Sequence, residues 1–94
     1  MFFLSLEGCD YSGKSTQIQF LKNYFQSIDK QVYTTREPGG SDFADKIRSL
    51  LLSNKGLSDP MVEYLLLAAA RKDHVQNVIK TQLAANKIVI SDRF

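Results

Sequence analysis

The sequence is poor in the residues that build metal centres and covalent cross-links. Of its 94 residues, one is cysteine, Cys9, and one is histidine, His74. A single cysteine cannot form an internal disulfide, and one Cys with one His cannot supply a zinc ligand set. This usage fits a reducing, cytoplasmic setting. A surplus of one charge is also lacking. Twelve basic residues against ten acidic leave a net charge of +2, and the basic residues are scattered, so the pattern gives no nucleic-acid groove. Long hydrophobic runs are missing too. The longest, Tyr64–Ala70, has seven residues, far short of the ~20 that span a bilayer, so no membrane association is expected. The apolar start Phe2–Leu6 is too short for a signal h-region, has no basic n-region and runs straight into Glu7. There is no repeat, linker or low-complexity segment. What remains is one small domain of ordinary composition, 44% apolar and 23% charged, which at this size buries only roughly 60–65% of its unfolded surface.

The apolar pattern changes period along the chain. Residues 2–6 read as a buried strand bounded by Gly8. From Lys14 the pattern is helical, with Ile18, Leu21, Phe25 and Ile28 on one face and Asp29-Lys30 as its end. Val32–Thr35 is a second strand by β-branched content, and Pro38-Gly39-Gly40 is a loop. Ser41 or Asp42 caps the next helix, whose expected apolar face is Phe43, Ile47, Leu50 and Leu51, and Asn54 and Gly56 end it. Asp59-Pro60 starts another helix by a capping side chain and a ring that fixes the first φ. That helix is expected to run to about Ala85 with a bend near Arg71, and Val75, Val78, Ile79 and Leu83 form the face of its second half. Ile88-Val89-Ile90 is a third buried strand, ending at Ser91-Asp92-Arg93. The order β-α-β-α-α-β predicts an α/β fold with a parallel sheet and right-handed crossovers. Ligands of such sheets sit at the carboxyl ends of the strands, here Glu7–Ser15, Arg36–Gly40 and Asp92–Phe94.

The first of these ends carries the sharpest motif. Gly8-Cys9-Asp10-Tyr11-Ser12-Gly13-Lys14-Ser15 matches G-x-x-x-x-G-K-[ST], the P-loop. The chain leaves a strand, wraps around an anion and enters a helix. Glycines permit the turn and the close approach of backbone N–H groups to phosphate oxygens, and the helix N-terminus adds partial positive charge. In such a loop Lys14 reaches the β- and γ-phosphates and the Ser15 hydroxyl ligates Mg²⁺. The expected ATP-binding stretch is Gly8, Cys9, Asp10, Tyr11, Ser12, Gly13, Lys14, Ser15 and Thr16, with Cys9 as a small filler. The motif arises by chance in about one of several hundred chains of this length, and here it stands in its proper setting, strand before and amphipathic helix after. It identifies a nucleotide and leaves the reaction open.

Three further segments narrow the choice: Thr35-Arg36-Glu37-Pro38-Gly39-Gly40, Leu65–Arg71 with His74 behind it, and Ser91-Asp92-Arg93-Phe94. With Glu7-Gly8-Cys9-Asp10 they resemble the thymidylate kinases of the bacterial type, and the likeness covers the whole chain. It implies a P-loop nucleoside monophosphate kinase of three-layer architecture that transfers the γ-phosphoryl of ATP to dTMP, giving dTDP, with Mg²⁺, in the cytoplasm and as a homodimer. It also implies roles. Lys14 and Ser15 match the positions at the ATP phosphates and Mg²⁺. Asp10 matches an acidic residue near the 3′-hydroxyl of the dTMP sugar, which gives that carboxylate a partner beside a phosphate cradle. Arg36 and Arg48 match arginines lining the monophosphate site, and Arg71 one that hydrogen-bonds thymine. Asp92 matches the carboxylate near Mg²⁺ and the reacting phosphates, and Arg93 an arginine holding the acceptor phosphate. Lys14, Asp92 and Arg93 are the expected catalytic residues. The chemistry agrees, because in-line phosphoryl transfer needs a lysine and a metal on the donor and planar arginines on the acceptor.

Plainer readings stand beside these. Arg48 and Arg71 also suit solvated helix faces, Arg36 a loop-anchoring ion pair, and Asp92 a cap for a following helix. Glu37 is expected to hold its loop through backbone N–H groups, and His74 to be structural or solvent-facing. The chain departs from the family pattern twice. Leu67 stands four residues before Arg71, where the family usually has a phenylalanine that stacks on thymine. Tyr11 stands where some members carry a P-loop arginine, and members without it use an arginine on a mobile lid. The family's chains are roughly twice as long, so the 94 residues are expected to lack the lid and adenine-binding parts and to be inactive alone. A P-loop kinase for another nucleotide or deoxynucleoside, and a non-catalytic nucleotide-binding fragment, are the competing readings.

Overall fold

The computed structural model describes residues 2–8, 13–53 and 59–94. The chain divides into two compact units, Met1–Glu37 with Thr81–Phe94, and Pro38–Lys80.

The first unit is built on a three-stranded parallel sheet. Its strands are β1 (Phe3–Leu6), β2 (Val32–Arg36) and β3 (Ile88–Asp92), in the order β1-β3-β2. The last strand in sequence is thus the central one. Val89 is in register with both Phe3 and Tyr33, and Ile88, Val89, Ile90 and Ser91 are all buried. The run of branched apolar residues has this cause, since a central parallel strand is covered on both faces and both edges. β1 lies beside it with a half-buried pattern, Ser5 and Phe2 being exposed, where full burial was expected. The ladder also runs further than the apolar residues suggest. Ser91 pairs with Ser5 and Thr35, and Asp92 with Leu6 and Arg36.

Helix α1 (Lys14–Ser27) follows β1 and packs on β2 and β3. Ile18, Leu21 and Phe25 turn inward to half-burial, whereas Ile28 caps the helix and is 47% exposed. Phe25 meets Phe2 edge-to-face with ring centres 5.5 Å apart. The chain reverses at Asp29, whose φ of 68° lies in the left-handed region that Asp and Asn tolerate.

The second unit contains α2 (Asp42–Ser53) and α3 (Pro60–His74), which pack on each other. Ala44, Ile47 and Ala70 form the buried seam, with Leu51 and Leu66 against it. The expected face of α2 is corrected here. Phe43 and Leu50 are 52% and 45% exposed, and the small Ala44 is the fully buried residue. Two alanines opposite one another let the helix backbones approach closely, and hydrophobicity alone does not announce them. The start of α3 is as expected, with Asp59 accepting from the Met61 N–H at 2.9 Å and Pro60 in the first turn. Beyond His74 the helix widens into a π-helical turn, Val75–Ile79, and resumes as α4 (Lys80–Ala84). The distortion therefore lies after His74 and not at Arg71. An i→i+5 turn of this kind depends on packing, and no residue type marks it.

Candidate active site

In the first unit the carboxyl ends of the strands come level. Leu6, Asp92 and Arg36 share one register position across the sheet. Just beyond it the Arg93 N–H donates to the Leu6 carbonyl at 2.8 Å and the Glu37 N–H to the Asp92 carbonyl at 3.0 Å. Arg36, Asp92 and Arg93 are thus held at the edge where open parallel sheets bind ligands, and Glu37 is buried there.

Lys14 opens α1, and its side chain is only 8% exposed. Its Nζ lies 2.6 Å from Asp92 Oδ1 and 3.4 Å from the Gly8 carbonyl oxygen. The same carbonyl accepts from Arg93, at 2.9 Å from Nη2 and 3.3 Å from Nε. The backbone oxygen of Gly8 therefore gathers two of the expected catalytic cations, and the third expected catalytic residue closes the cluster. Asp92 forms an ion pair with Lys14. Arg93 reaches this position with φ 70°, left-handed for a non-glycine residue.

The start of α1 differs from those of the other two long helices. Ser41 Oγ accepts from the Ala44 N–H at the start of α2, which also carries Asp42 and Asp45, and Asp59 caps α3. α1 begins at Gly13 with no side-chain cap and no acidic residue in its first turn. Such a start leaves backbone donors and positive dipole for an anion. Gly13 has φ 83°, and an added Cβ would meet nothing within 4 Å, so backbone conformation and not space asks for glycine. Ser15 and Thr16 follow it, exposed. Cys9, Asp10, Tyr11 and Ser12 lie outside the described residues, and with them the expected sugar contact.

In the second unit Arg48 is half-buried, and its Nη1 donates to the Pro38 carbonyl at 2.8 Å. It is thus tied to the loop after β2 and is no freely solvated side chain. Arg71 and Leu67 lie one turn apart on α3, and Leu67 is 37% exposed. His74 is fully buried and packs against Gly40, which bears out a structural place for it. The contacts of Asp45 and Asp73 left no signal in the sequence. Asp45 accepts from the Gly40 N–H at 3.0 Å, and Ser41 Oγ donates to Asp73 Oδ2 at 2.6 Å. Ser41 was legible as a cap; its link to Asp73 spans two helices and leaves no local signal. Among the described residues no group of three or more His, Cys, Asp or Glu could hold a metal ion by itself.

A sequence model of the family described as thymidylate kinase matches residues 6–94. The chain belongs to the thymidylate kinase family. It is 50% identical over 94 residues to the thymidylate kinase of Syntrophotalea carbinolica, and 47% identical over 93 residues to that of Mesoplasma florum. These matches cover 99% and 98% of the chain and 44% of each relative, so the chain spans less than half the length of these curated relatives. The crystal structure of the thymidylate kinase from Ehrlichia chaffeensis is similar in fold, with a TM-score of 0.84 at 42% identity over the whole chain and 54% of that structure. The expected α/β P-loop class is the fold of this family, and among the described residues no helix is long and apolar enough to cross a membrane.

Proposed function

We propose that the protein transfers the γ-phosphoryl of ATP to dTMP, giving dTDP. The observation that carries this reading is the cluster of Lys14, Asp92 and Arg93 around the Gly8 carbonyl at the uncapped start of α1, in a chain of the thymidylate kinase family. A cationic pair beside a helix N-terminus suits a phosphate that gains charge in the transition state. Lys14 stabilises that charge, Arg93 and Arg36 hold the acceptor phosphate, Arg48 lines its site, and Arg71 with Leu67 meets the base. Asp10 takes the sugar hydroxyl, and Gly8–Thr16 cradles the ATP phosphates.

The donor set fits Mg²⁺. This cation keeps several waters and binds through one or two carboxylates plus substrate phosphates, so the Asp92 carboxylate, 36% exposed, and the Ser15 hydroxyl would hold it. Bound there, it would neutralise charge on the reacting phosphates. The protein is further proposed to act in the cytoplasm and as a homodimer. Met61, Tyr64 and Leu65, one face of α3, are 60%, 64% and 57% exposed, which supports an apolar partner surface.

Leu67 favours keeping a second substrate in view, since leucine offers thymine contact without a π-face. The test is a panel of nucleoside monophosphates and thymidine with ATP and Mg²⁺, using the complete gene product. Preferred turnover of dTMP is expected. Preference for another acceptor assigns the protein to the second reading, and nucleotide binding without turnover to a non-catalytic role.

A further inference from the structure

We infer that His74 is a positioning residue for the acceptor arginine Arg48, acting through Gly40 and the Pro38–Gly40 loop; this rests on the dTMP reading above. A fully buried side chain is held in one place by close packing, and His74 is 0% exposed. Its ring lies directly against the loop. A Cβ added to Gly40 would stand 2.2 Å from His74 Nε2, 2.5 Å from Cδ2 and 2.7 Å from Cε1. Gly40 also has φ 99°, so both space and backbone require glycine there.

Other ties fix the loop from different sides. The Gly40 N–H donates to Asp45 Oδ1 of α2 at 3.0 Å. Ser41 Oγ donates to Asp73 Oδ2 at 2.6 Å, and Asp73 Oδ1 accepts from Asn77 Nδ2 at 2.7 Å. The end of α3 thereby holds the residue that caps α2, one position after the glycine that the ring touches. At the other end of the loop the Pro38 carbonyl accepts from Arg48 Nη1 at 2.8 Å. A guanidinium is a planar fork whose recognition of phosphate depends on its orientation. Pro38 O sets that orientation, the glycines set Pro38 O, and the buried imidazole sets the place of Gly40. These residues, with Arg71 and Leu67 of the proposed base site, all belong to one compact unit, whereas Lys14 and the start of α1, proposed to take the ATP phosphates, belong to the other, as do Arg36 and Arg93. Loss of the imidazole should therefore weaken dTMP and spare ATP.

The test compares steady-state kinetics of the complete gene product with those of His74→Ala, His74→Gln, Gly40→Ala and, as a buried control of the same unit, Ile79→Ala. A displacement near 1 Å costs on the order of 10²-fold. His74→Ala and Gly40→Ala are therefore expected to lower kcat/KM for dTMP about 10- to 100-fold with a raised dTMP KM, and to leave the ATP KM within about twofold. His74→Gln, a planar polar side chain of similar reach, should recover part of the loss. Ile79→Ala should lower the melting temperature and leave the dTMP KM in place. If His74→Ala does not fold, His74→Gln and Gly40→Ala decide. A normal dTMP KM in a folded variant, or an equal rise in Ile79→Ala, overturns the inference. No dTMP turnover by the unsubstituted protein overturns the functional reading instead.

Discussion

The first residue of α1 and the last residue of β3 form an ion pair, Lys14 Nζ to Asp92 Oδ1 at 2.6 Å, with side chains 8% and 36% exposed. The ammonium is sealed and the carboxylate opens outward. The stem of Lys14 is therefore held in place at the strand ends, and in the proposed mechanism the ATP phosphates would compete with Asp92 for its charge.

Lys14→Ala removes this charge. Losing a strong electrostatic contact to the transition state costs roughly 10²–10³ in rate. The complete gene product carrying Lys14→Ala should therefore lose at least that much kcat in an ADP-release assay. A loss under about threefold would remove the P-loop mechanism from the proposal.

The base site is tested on α3. If Arg71 reads the thymine edge, its removal leaves polar groups unpaired and should cost about 1–3 kcal/mol of dTMP binding. Leu67→Phe adds a stacking face and should tighten dTMP modestly. Calorimetric titration with dTMP and dUMP checks both, and unchanged dTMP affinity in Arg71→Ala contradicts the base-site assignment.

Two glycines separate strain from overlap. Gly13 has φ 83° with open space around it, whereas Gly40 has φ 99° with His74 in the way. Gly13→Ala should cost about 1–2 kcal/mol, the penalty of left-handed backbone alone. Gly40→Ala should cost at least ~1 kcal/mol more, because overlap is added to strain. Urea denaturation of both variants measures the difference, and equal midpoints would show that the imidazole yields freely.

A further prediction follows from what the phosphate loop does not contain. Gly8–Thr16 holds Lys14 and no arginine, and an arginine on the transferring phosphoryl is worth ~10³–10⁵ in rate. Arg36 and Arg93 serve the acceptor in the proposed mechanism. The 94-residue polypeptide, expressed by itself, should therefore turn over ATP and dTMP well below ~1 s⁻¹, the low end for kinases. Turnover at or above that rate would show that the residues present suffice.

Much of this was legible in short stretches of residues. The start of α1 at Lys14 follows from Gly13 and the period of Ile18, Leu21 and Phe25, and the start of α3 from Asp59-Pro60. The core of β3 follows from Ile88-Val89-Ile90. Ser91 and Asp92 read as a strand end because they are polar, yet pairing of Ser91 with Ser5 and Thr35 and of Asp92 with Leu6 and Arg36 carries the ladder through them. Ala44 and Ala70 form the helix seam through size and not through hydrophobicity. His74 gave no sign of meeting Gly40, since the contact joins distant parts of the chain and depends on where α3 ends. Arg48 also suits a solvated helix face by sequence, and its bond to the Pro38 carbonyl depends on a loop ten residues away.

The strand order has a consequence during synthesis on the ribosome. β1 and β2 are made first, but among the described residues neither hydrogen-bonds to the other, and each pairs with β3. At about 5–20 residues per second, the nascent chain carries two unpaired strands for seconds until Asp92 has emerged. Phe2, Phe3, Val32 and Tyr33 are then open to association with other chains, and substitutions that enrich these segments in apolar residues would burden the cell's chaperones before they alter the finished fold.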